Sequence, residues 1–240
     1  MSSARGEGGV EGGRNRFFRR RPARPRSRWQ WLLVGPLLFV AGLSFAPEAL
    51  AWPYSAQFAA TTVYSEAPIP PQMVQVLARS DALLARSELH GGPLQRRLFL
   101  SSGGWRWRLL ALTSSGSFAL RRPFRSGLVF NRSDVAADRV ENGRKLGGDR
   151  TLSGTIAHET THILIARRYG ELQAAMVPSW KAEGYADFVA QESSLSPEEA
   201  RIAERTEKDH PALEYYRARE KVAAALARGG GVDGLFLRAR

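Results

Sequence analysis

Residues 154–165 read GTIAHETTHILI, and the rest of the sequence is interpreted outward from this segment. Apolar residues surround two histidines, and the length and flanks of the run predict an α-helix. Each residue of a helix turns by about 100°, so His158 and His162 lie one turn apart and about 40° around the axis from each other. Both imidazoles can therefore reach one metal ion. Glu159 can approach a metal-bound water without being a ligand itself.

The flanks of this segment predict where the helix begins and ends. Thr151 or Ser153 is expected to cap its N-terminus, and Gly170 is expected to stop it after Tyr169. Three apolar side chains share the face opposite the histidines: Leu152, Ile156 and Ile163. The back of the helix should therefore be buried in the protein core.

Composition restricts the kind of site that this helix can carry. The chain has 240 residues, of which 43% are hydrophobic, so it is long enough to bury one substantial core. It contains no cysteine, which excludes a disulfide framework and thiolate metal ligands. Any bound metal must therefore be held by histidine and carboxylate side chains.

The net charge of +12 is unevenly distributed along the chain. Residues 1–28 contain nine Arg and two Glu, which gives +7, whereas the other 212 residues contain 26 Lys or Arg and 21 Asp or Glu, which gives +5. A nucleic-acid-binding domain carries its basic residues on a folded face. We therefore expect no nucleic-acid partner.

The N-terminal 51 residues have the pattern of a membrane-targeting segment. Residues 1–28 are rich in Gly and Arg and are expected to be a disordered cytoplasmic segment. An uncharged apolar run from 29 to 46 follows, at the short end of what spans a bilayer. The basic flank predicts that the rest of the chain lies on the far side of the membrane.

Two interpretations of residues 29–51 remain open. A transmembrane anchor is favoured by three tryptophans suited to a membrane interface: Trp29, Trp31 and Trp52. A cleaved signal peptide, and hence a secreted protein, is favoured by the small-x-small pattern of Ala49, Leu50 and Ala51. Both interpretations place the folded part outside the cytoplasm.

Residues 52–71 are predicted to be a linker and residues 72–240 the folded domain. The linker ends in PIPP at 68–71, which favours extended backbone and breaks helices. Residues 72–87 then repeat apolar positions near the helical period, which predicts an amphipathic helix.

The sequence between 95 and 150 is more typical of a small sheet. Short aromatic or β-branched segments separated by Gly and Ser predict strands at 97–101, 105–110 and 127–131. Trp105 and Trp107 alternate with arginines, as on a half-buried strand. Residues 132–150 are polar and lack periodicity, which predicts a loop. We therefore expect an α+β fold, a small antiparallel or mixed sheet on two helices, preceded by one transmembrane helix.

A second motif follows Pro178, where residues 179–190 read SWKAEGYADFVA. Glu183 and Asp187 lie four residues apart on a predicted helix, with 20 residues between His162 and Glu183. A catalytic zinc ion takes three protein ligands and a water, and Glu183 would complete such a set. Asp187 can accept a hydrogen bond from the second nitrogen of a ligand imidazole and fix its tautomer. Alternatively, both are surface acids of an amphipathic helix.

Taken together, HETTH at 158–162 and EGYAD at 183–187 resemble the gluzincin metallopeptidases, the group that includes thermolysin and the aminopeptidase-N-like enzymes. The resemblance implies a minimal zincin-like core that binds Zn²⁺. It implies the following roles: His158, His162 and Glu183 as zinc ligands, Glu159 as general base and Asp187 as the residue that orients a ligand.

A looser resemblance concerns YYRA at 215–218, followed by a predicted helix to Leu226. It is similar to the region that carries the transition-state tyrosine in aminopeptidase-N-like enzymes, which implies a catalytic Tyr215, with Tyr216 as the second candidate. Two departures stand out. Ala182 occupies a position where these families usually have Asn, and no Gly-x-Met-Glu-Asn exopeptidase signature occurs.

The resemblance implies a membrane-tethered zinc metallopeptidase that acts on peptide or protein substrates outside the cytoplasm. The alternative is a catalytically silent, gluzincin-like binding or assembly protein of the cell envelope. The segment 127–131 is expected to be an edge strand that pairs with an extended substrate. Of the two remaining histidines, His90 is expected in a loop and His210 at the end of a helix.

Overall fold

In a computed structural model of the chain, the described residues are 34, 35, 42, 46–122, 126–207 and 209–237. They form a mixed seven-stranded sheet and eight α-helices, which confirms the α+β class and the mixed sheet. The segment 1–28 and most of 29–51 lie outside the described residues. Within the described part, no helix combines the length and apolarity needed to cross a bilayer.

The sheet contains β1 (Tyr54–Phe58), β2 (Thr61–Ser65), β3 (Arg96–Ser101), β4 (Ala119–Arg121), β5 (Gly127–Asp134), β6 (Arg139–Glu141) and β7 (Asp149–Thr151). The strand order is β1-β2-β3-β5-β6-β7, and β4 pairs with β5. The β2–β3 and β3–β5 pairs are parallel, and all other pairs are antiparallel. Along the edge of β5 that faces away from β3, β4 pairs with its first half and β6 with its second half.

The helices are α1 (Met73–Leu84), α2 (Trp105–Ala111), α3 (Leu152–Tyr169), α4 (Glu171–Met176), α5 (Ser179–Ala190), α6 (Pro197–Thr206), α7 (Pro211–Ala227) and α8 (Gly231–Leu237). The helix predicted at 72–87 is therefore confirmed as α1. Helix α3 is the segment from which the interpretation of the sequence started, and it ends at the expected Tyr169.

Alternation along the central strands places a hydrophobic core on each face of the sheet. Leu98 and Leu128 point to the face that packs on α1 and α3. Phe99 and Val129 point to the opposite face, where they contact Trp107 of α2. Because side chains alternate between the faces of a strand, these central strands bury both of their surfaces. A third core, among α3, α5, α7 and α8, joins the helices to one another.

The predicted linker at 52–71 was wrong over most of its length, because residues 54–65 form the antiparallel pair β1 and β2. Val63 is fully buried, and β2 pairs in parallel with β3. The β-branched TTV sequence at 61–63 has high strand propensity, and its packing on the core outweighs the nearby prolines. The proline-rich residues 68–71 lead the chain into α1, and Ile69 among them packs on the core.

The strand predicted at 105–110 was also wrong, because these residues form helix α2. Trp107, Leu110 and Ala111 are buried, and their i, i+3, i+4 spacing forms one helical face against the sheet. Trp105 is 58% exposed and lies under the guanidinium of Arg106, 4.6 Å from the ring centroid. The alternation of Trp and Arg therefore reflects helix faces rather than strand faces.

Two further sequence predictions need correction. The segment 132–150 is not a loop throughout, because β5 extends to Asp134 and both β6 and β7 follow. The segment 127–131 is not an edge strand, because β5 is paired with β3 on one side and with β4 on the other. Among the described residues, the edge without a paired strand in this region belongs to β4.

Residues 46–52 belong to the folded part of the molecule. A 3₁₀ turn at Pro47–Leu50 places Leu50 against the α2 face of the sheet, with 8% of its surface exposed. The guanidinium of Arg106 donates hydrogen bonds to the carbonyl oxygens of Leu50 and Ala51, each at 3.0 Å. Arg97 forms an ion pair with Glu48. The small-x-small residues 49–51 are thus docked on the domain.

Candidate metal centre

Helix α3 is fixed at its N-terminus by the predicted cap. Thr151 Oγ1 accepts a hydrogen bond from the main-chain N–H of Gly154 at 3.0 Å, which satisfies one of the free donors of the first turn. A Cβ at position 154 would lie 2.6 Å from Thr151 Oγ1 and would overlap the carboxylate of Glu192. Only glycine fits this position without displacing the cap. At the other end, Gly170 stops the helix with a φ of 90°.

Two cores hold helix α3 and leave one face open. As predicted, the side chains opposite the histidines are buried on the sheet: Leu152, Ile156 and Ile163. A second row packs on the surrounding helices: Ala157, Leu164 and Ile165. The remaining face carries His158, Glu159 and His162, which line a cleft of about 440 Å³.

The residues predicted as metal ligands lie together on this face. The Nε2 atoms of His158 and His162 are 3.2 Å apart. Helix α5 brings Glu183 to them, so that its Oε2 lies 3.3 Å from His158 Nε2 and its Oε1 lies 3.6 Å from His162 Nε2. Two ligand atoms at zinc–nitrogen distances of about 2.0–2.1 Å on a tetrahedral ion are separated by about 3.3 Å. The three donors are therefore close to the spacing that zinc requires.

The hydrogen bond predicted for Asp187 is present. The Nδ1–H of His158 donates to Asp187 Oδ1 at 2.8 Å, which leaves Nε2 directed at the other donors. Burial opposes the charged imidazole, but the hydrogen bonds to Asp187 and Glu183 outweigh it and raise the pKa of His158 to about 10. Burial would also raise the pKa of Glu183, but the neighbouring His162 and His158 hold it well below its usual value. Binding of a metal ion by Nε2 of His158 would displace this proton.

No sequence pattern pointed to Arg150, which forms the outer layer of the centre. Its side chain is 5% exposed, and its Nη2 lies 2.9 Å from the fully buried Asp187 Oδ1. Its Nε donates to Glu192 Oε1 at 3.1 Å, and Glu192 Oε2 accepts from Thr151 Oγ1 at 2.8 Å. Burial raises the pKa of Asp187, but the positive charge of Arg150 and the hydrogen bond from His158 together outweigh it and lower that pKa below its usual value. One chain of contacts therefore runs from the helix cap to His158.

Glu159 lines the same cleft, one residue along the helix from the first ligand. Its side chain is largely buried, with 9% of the residue exposed. Within the described ranges, no side chain forms an ion pair or a hydrogen bond with its carboxylate. The carboxylate is therefore available to accept a proton from a group bound in the cleft.

Of the two candidate tyrosines, the structure brings only Tyr215 to the cleft. Tyr215 lies on α7, is 38% exposed and lines the cleft together with Glu159 and Glu183. Burial, followed by the charges of Glu183 and Asp187, raises the pKa of its hydroxyl. Tyr216 instead packs beside the α6–α7 contact. Tyr215 is thus protonated at neutral pH and able to donate a hydrogen bond.

Strand β4 forms another wall of the cleft. Phe118 O accepts from Asn131 N at 2.8 Å, and Arg122 N donates to Gly127 O at 2.9 Å, so both residues direct their main-chain groups at β5. Successive residues of a strand direct these groups to opposite sides. Ala119 and Arg121 therefore present their N–H and C=O groups to the open edge.

The other two histidines lie outside this arrangement. His90 is exposed in the loop after α1, as predicted. His210 does not end a helix, which corrects the prediction, because it caps the start of α7. Its Nδ1 accepts from the main-chain N–H of Ala212 at 3.2 Å. Within the described residues, the only His and carboxylate group that could hold a metal ion is the one formed by His158, His162 and Glu183.

Comparisons of this chain with models of protein families, with curated proteins and with solved structures gave no match. The resemblance to gluzincins therefore rests on the two sequence motifs, and the function has to be argued from the geometry of this centre.

Proposed function

We propose that this chain is a zinc-dependent metallopeptidase of the gluzincin type that hydrolyses peptide bonds. The observation that carries the proposal is the convergence of His158, His162 and Glu183, with donor atoms 3.2 to 3.6 Å apart. The unpaired carboxylate of Glu159 lies beside these donors in a cleft of about 440 Å³, a size that suits part of a peptide. A purely structural metal site would not need this carboxylate.

The two histidines and Glu183 would hold the zinc ion, and Asp187 would keep the His158 ring in the correct orientation. When bound, zinc polarises the scissile carbonyl and lowers the pKa of a bound water to about 7. Glu159 accepts the proton of the attacking water and passes it to the leaving amine. Tyr215 donates its hydroxyl hydrogen bond to the negative oxygen that develops during attack.

The open edge of β4 supports binding of an extended peptide. Ala119 and Arg121 face the cleft with free main-chain donors and acceptors, and a peptide strand can pair with them. We therefore propose that the substrate pairs with β4 rather than with the 127–131 segment. The histidines and Glu159 of α3 line the same cleft as β4. A peptide paired with β4 would therefore have a main-chain carbonyl close to the centre.

The N-terminal sequence supports a location outside the cytoplasm. The apolar run from 29 to 46 would anchor the domain in the membrane, with the basic residues 1–28 on the cytoplasmic side. Cleavage after Ala51 would instead release the domain as a secreted protein. In both cases the substrates are peptides or proteins beyond the cytoplasmic membrane.

The decisive experiment replaces the general base while keeping the ligands. We expect Glu159→Gln to retain one zinc ion per chain and to lower peptide hydrolysis by about 10²- to 10⁴-fold. Glu198→Gln, an exposed acid on α6, is the matched control and should leave both quantities unchanged. Metal analysis together with a peptide-library assay measures both. Zinc binding without hydrolysis by the wild type would favour the silent binding protein, and absence of zinc would refute the proposed centre.

A further inference from the structure

The turn between β6 and β7 places an arginine on the wall of the cleft. Arg144 lines the cleft together with Gly116 and Tyr215. Its guanidinium lies over Gly116, where a Cβ would come within 3.4 Å of Nη2. It is close enough to Tyr215 that its charge opposes the rise in the pKa of Tyr215 caused by burial. The cation therefore lies near the catalytic end of the cleft.

The backbone of this turn is fixed by its own contacts. Asn142 Oδ1 accepts from the main-chain N–H of Arg144 at 2.9 Å, and Asn142 N donates to Gly148 O at 3.0 Å. A Cβ at Gly148 would overlap the carbonyl oxygen of Arg144, so glycine is required for this close approach. Gly147 N donates to Glu199 at 3.4 Å, which ties the turn to α6. The main chain that carries Arg144 is thus fixed before any ligand binds.

The charge of Arg144 is also uncompensated. Arg121, on the β4 wall, forms two hydrogen bonds with Glu171, at 3.0 and 2.7 Å. Arg150 is neutralised by Asp187 and Glu192. Among the described residues, none forms an ion pair with Arg144.

Two acids on the other side of the turn do not compensate this charge either. Glu207 and Asp209 line a separate cavity with the turn residues, and neither forms an ion pair with Arg144. Arg144 is an exposed cation beside Gly116 and the polar Ser117, and its guanidinium can donate a bidentate pair of hydrogen bonds to a carboxylate. The end of the cleft where β4 begins is therefore suited to an anionic group.

We propose that Arg144 forms a substrate subsite that binds a carboxylate at the end of the cleft where β4 begins. The carboxylate belongs to an acidic side chain of the peptide or to its C-terminus. This inference rests on the proposed peptidase function for its biological meaning, but binding of the carboxylate is measurable without hydrolysis.

The test uses the full-length, zinc-loaded chain carrying Glu159→Gln, so that peptides bind without being cut. Fluorescent peptides differ only by Glu in place of Gln at successive positions, or by a free in place of an amidated C-terminus. We expect one carboxylate peptide to bind about 5- to 20-fold more tightly than its neutral partner, as expected for a charge-assisted hydrogen-bonded pair. A preference for Glu identifies a side chain, and a preference for the free acid identifies the C-terminus.

The preference should disappear in Arg144→Gln and reverse in Arg144→Glu. Arg168→Gln, which removes the same charge from the end of α3 outside the cleft, is the matched control and should keep it. Equal binding of all matched peptides, or a preference that persists in Arg144→Gln, would overturn the subsite. Failure of the proposed hydrolysis is measured separately with unmodified Glu159, so the two ideas fail independently.

Discussion

Replacing Arg150 with Met should weaken zinc binding although Arg150 touches no ligand atom. Its guanidinium contacts the same Oδ1 of Asp187 that accepts the Nδ1–H of His158, at 2.9 Å and 2.8 Å. Loss of an outer partner of this kind lowers metal affinity by about 10- to 100-fold. That corresponds to about 1.4 to 2.7 kcal/mol of binding free energy.

The same change should lower the free energy of unfolding of the metal-free chain. The side chains of Arg150 and Asp187 are 5% and 0% exposed, so solvent screening of the pair is minimal. Removing one member of a buried ion pair costs about 3 to 5 kcal/mol, because the other charge stays buried without compensation. Arg150→Lys keeps the charge and should recover part of both losses, which guards against a variant that fails to fold.

Two measurements separate orientation of the ligand from general destabilisation. Zinc affinity is measured by chelator competition, and stability by urea unfolding of the metal-free protein. Arg96→Met is the control for loss of a buried arginine, because Arg96 is equally buried and pairs with the exposed Asp81 away from the cleft. This control should lose stability and retain zinc affinity.

A double-mutant cycle tests whether Arg150 acts through Asp187. If it does, Arg150→Met should have little further effect on zinc affinity in a chain that already carries Asp187→Asn. Additive effects would refute the reasoning. So would a loss of affinity in Arg150→Met no larger than that in the Arg96→Met control.

Three further outcomes are expected. Tyr215→Phe should lower kcat by about 10²- to 10³-fold with unchanged zinc content, while Tyr216→Phe should leave kcat unchanged. Equal losses of kcat for the two variants in steady-state assays would contradict a catalytic role of Tyr215. Ala119→Pro should raise KM for extended peptides by about tenfold, because it removes one main-chain donor from the open edge of β4, and an unchanged KM would exclude strand pairing there. Gly154→Ala should lower the free energy of unfolding by about 1 to 3 kcal/mol in urea titrations, because its Cβ overlaps Glu192; a neutral effect would contradict the close packing of the cap.

The sequence predicted the centre better than the sheet around it. His158 and His162 lie on one helix, so the helical period alone fixes their relative position. Glu183 and Asp187 form a second helical pair, and their contact with the first pair was predicted from the three protein ligands that a catalytic zinc ion takes. Local periodicity was therefore sufficient for each pair, and ligand chemistry was needed to join the two pairs.

Nonlocal contacts account for what the sequence did not show. Arg150 meets Asp187 only because β7 and α5 come together in the fold, and no spacing rule predicts such a pair. Strand β4 has three residues, too few to show a period, and its position as an edge depends on the pairing of β5. The short aromatic segment at 105–111 fits strand and helix patterns alike, and packing on the sheet decides between them.

The shortness of β4 has a consequence for turnover. Its open edge offers the main-chain groups of only Ala119 and Arg121, and each residue supplies one N–H and one C=O. If the chain cleaves peptides as proposed, each product would retain a small share of these contacts and dissociate readily. An edge this short is also a poor template for pairing with the edge of another copy of the chain. The cleft can therefore have an open edge without promoting edge-to-edge aggregation.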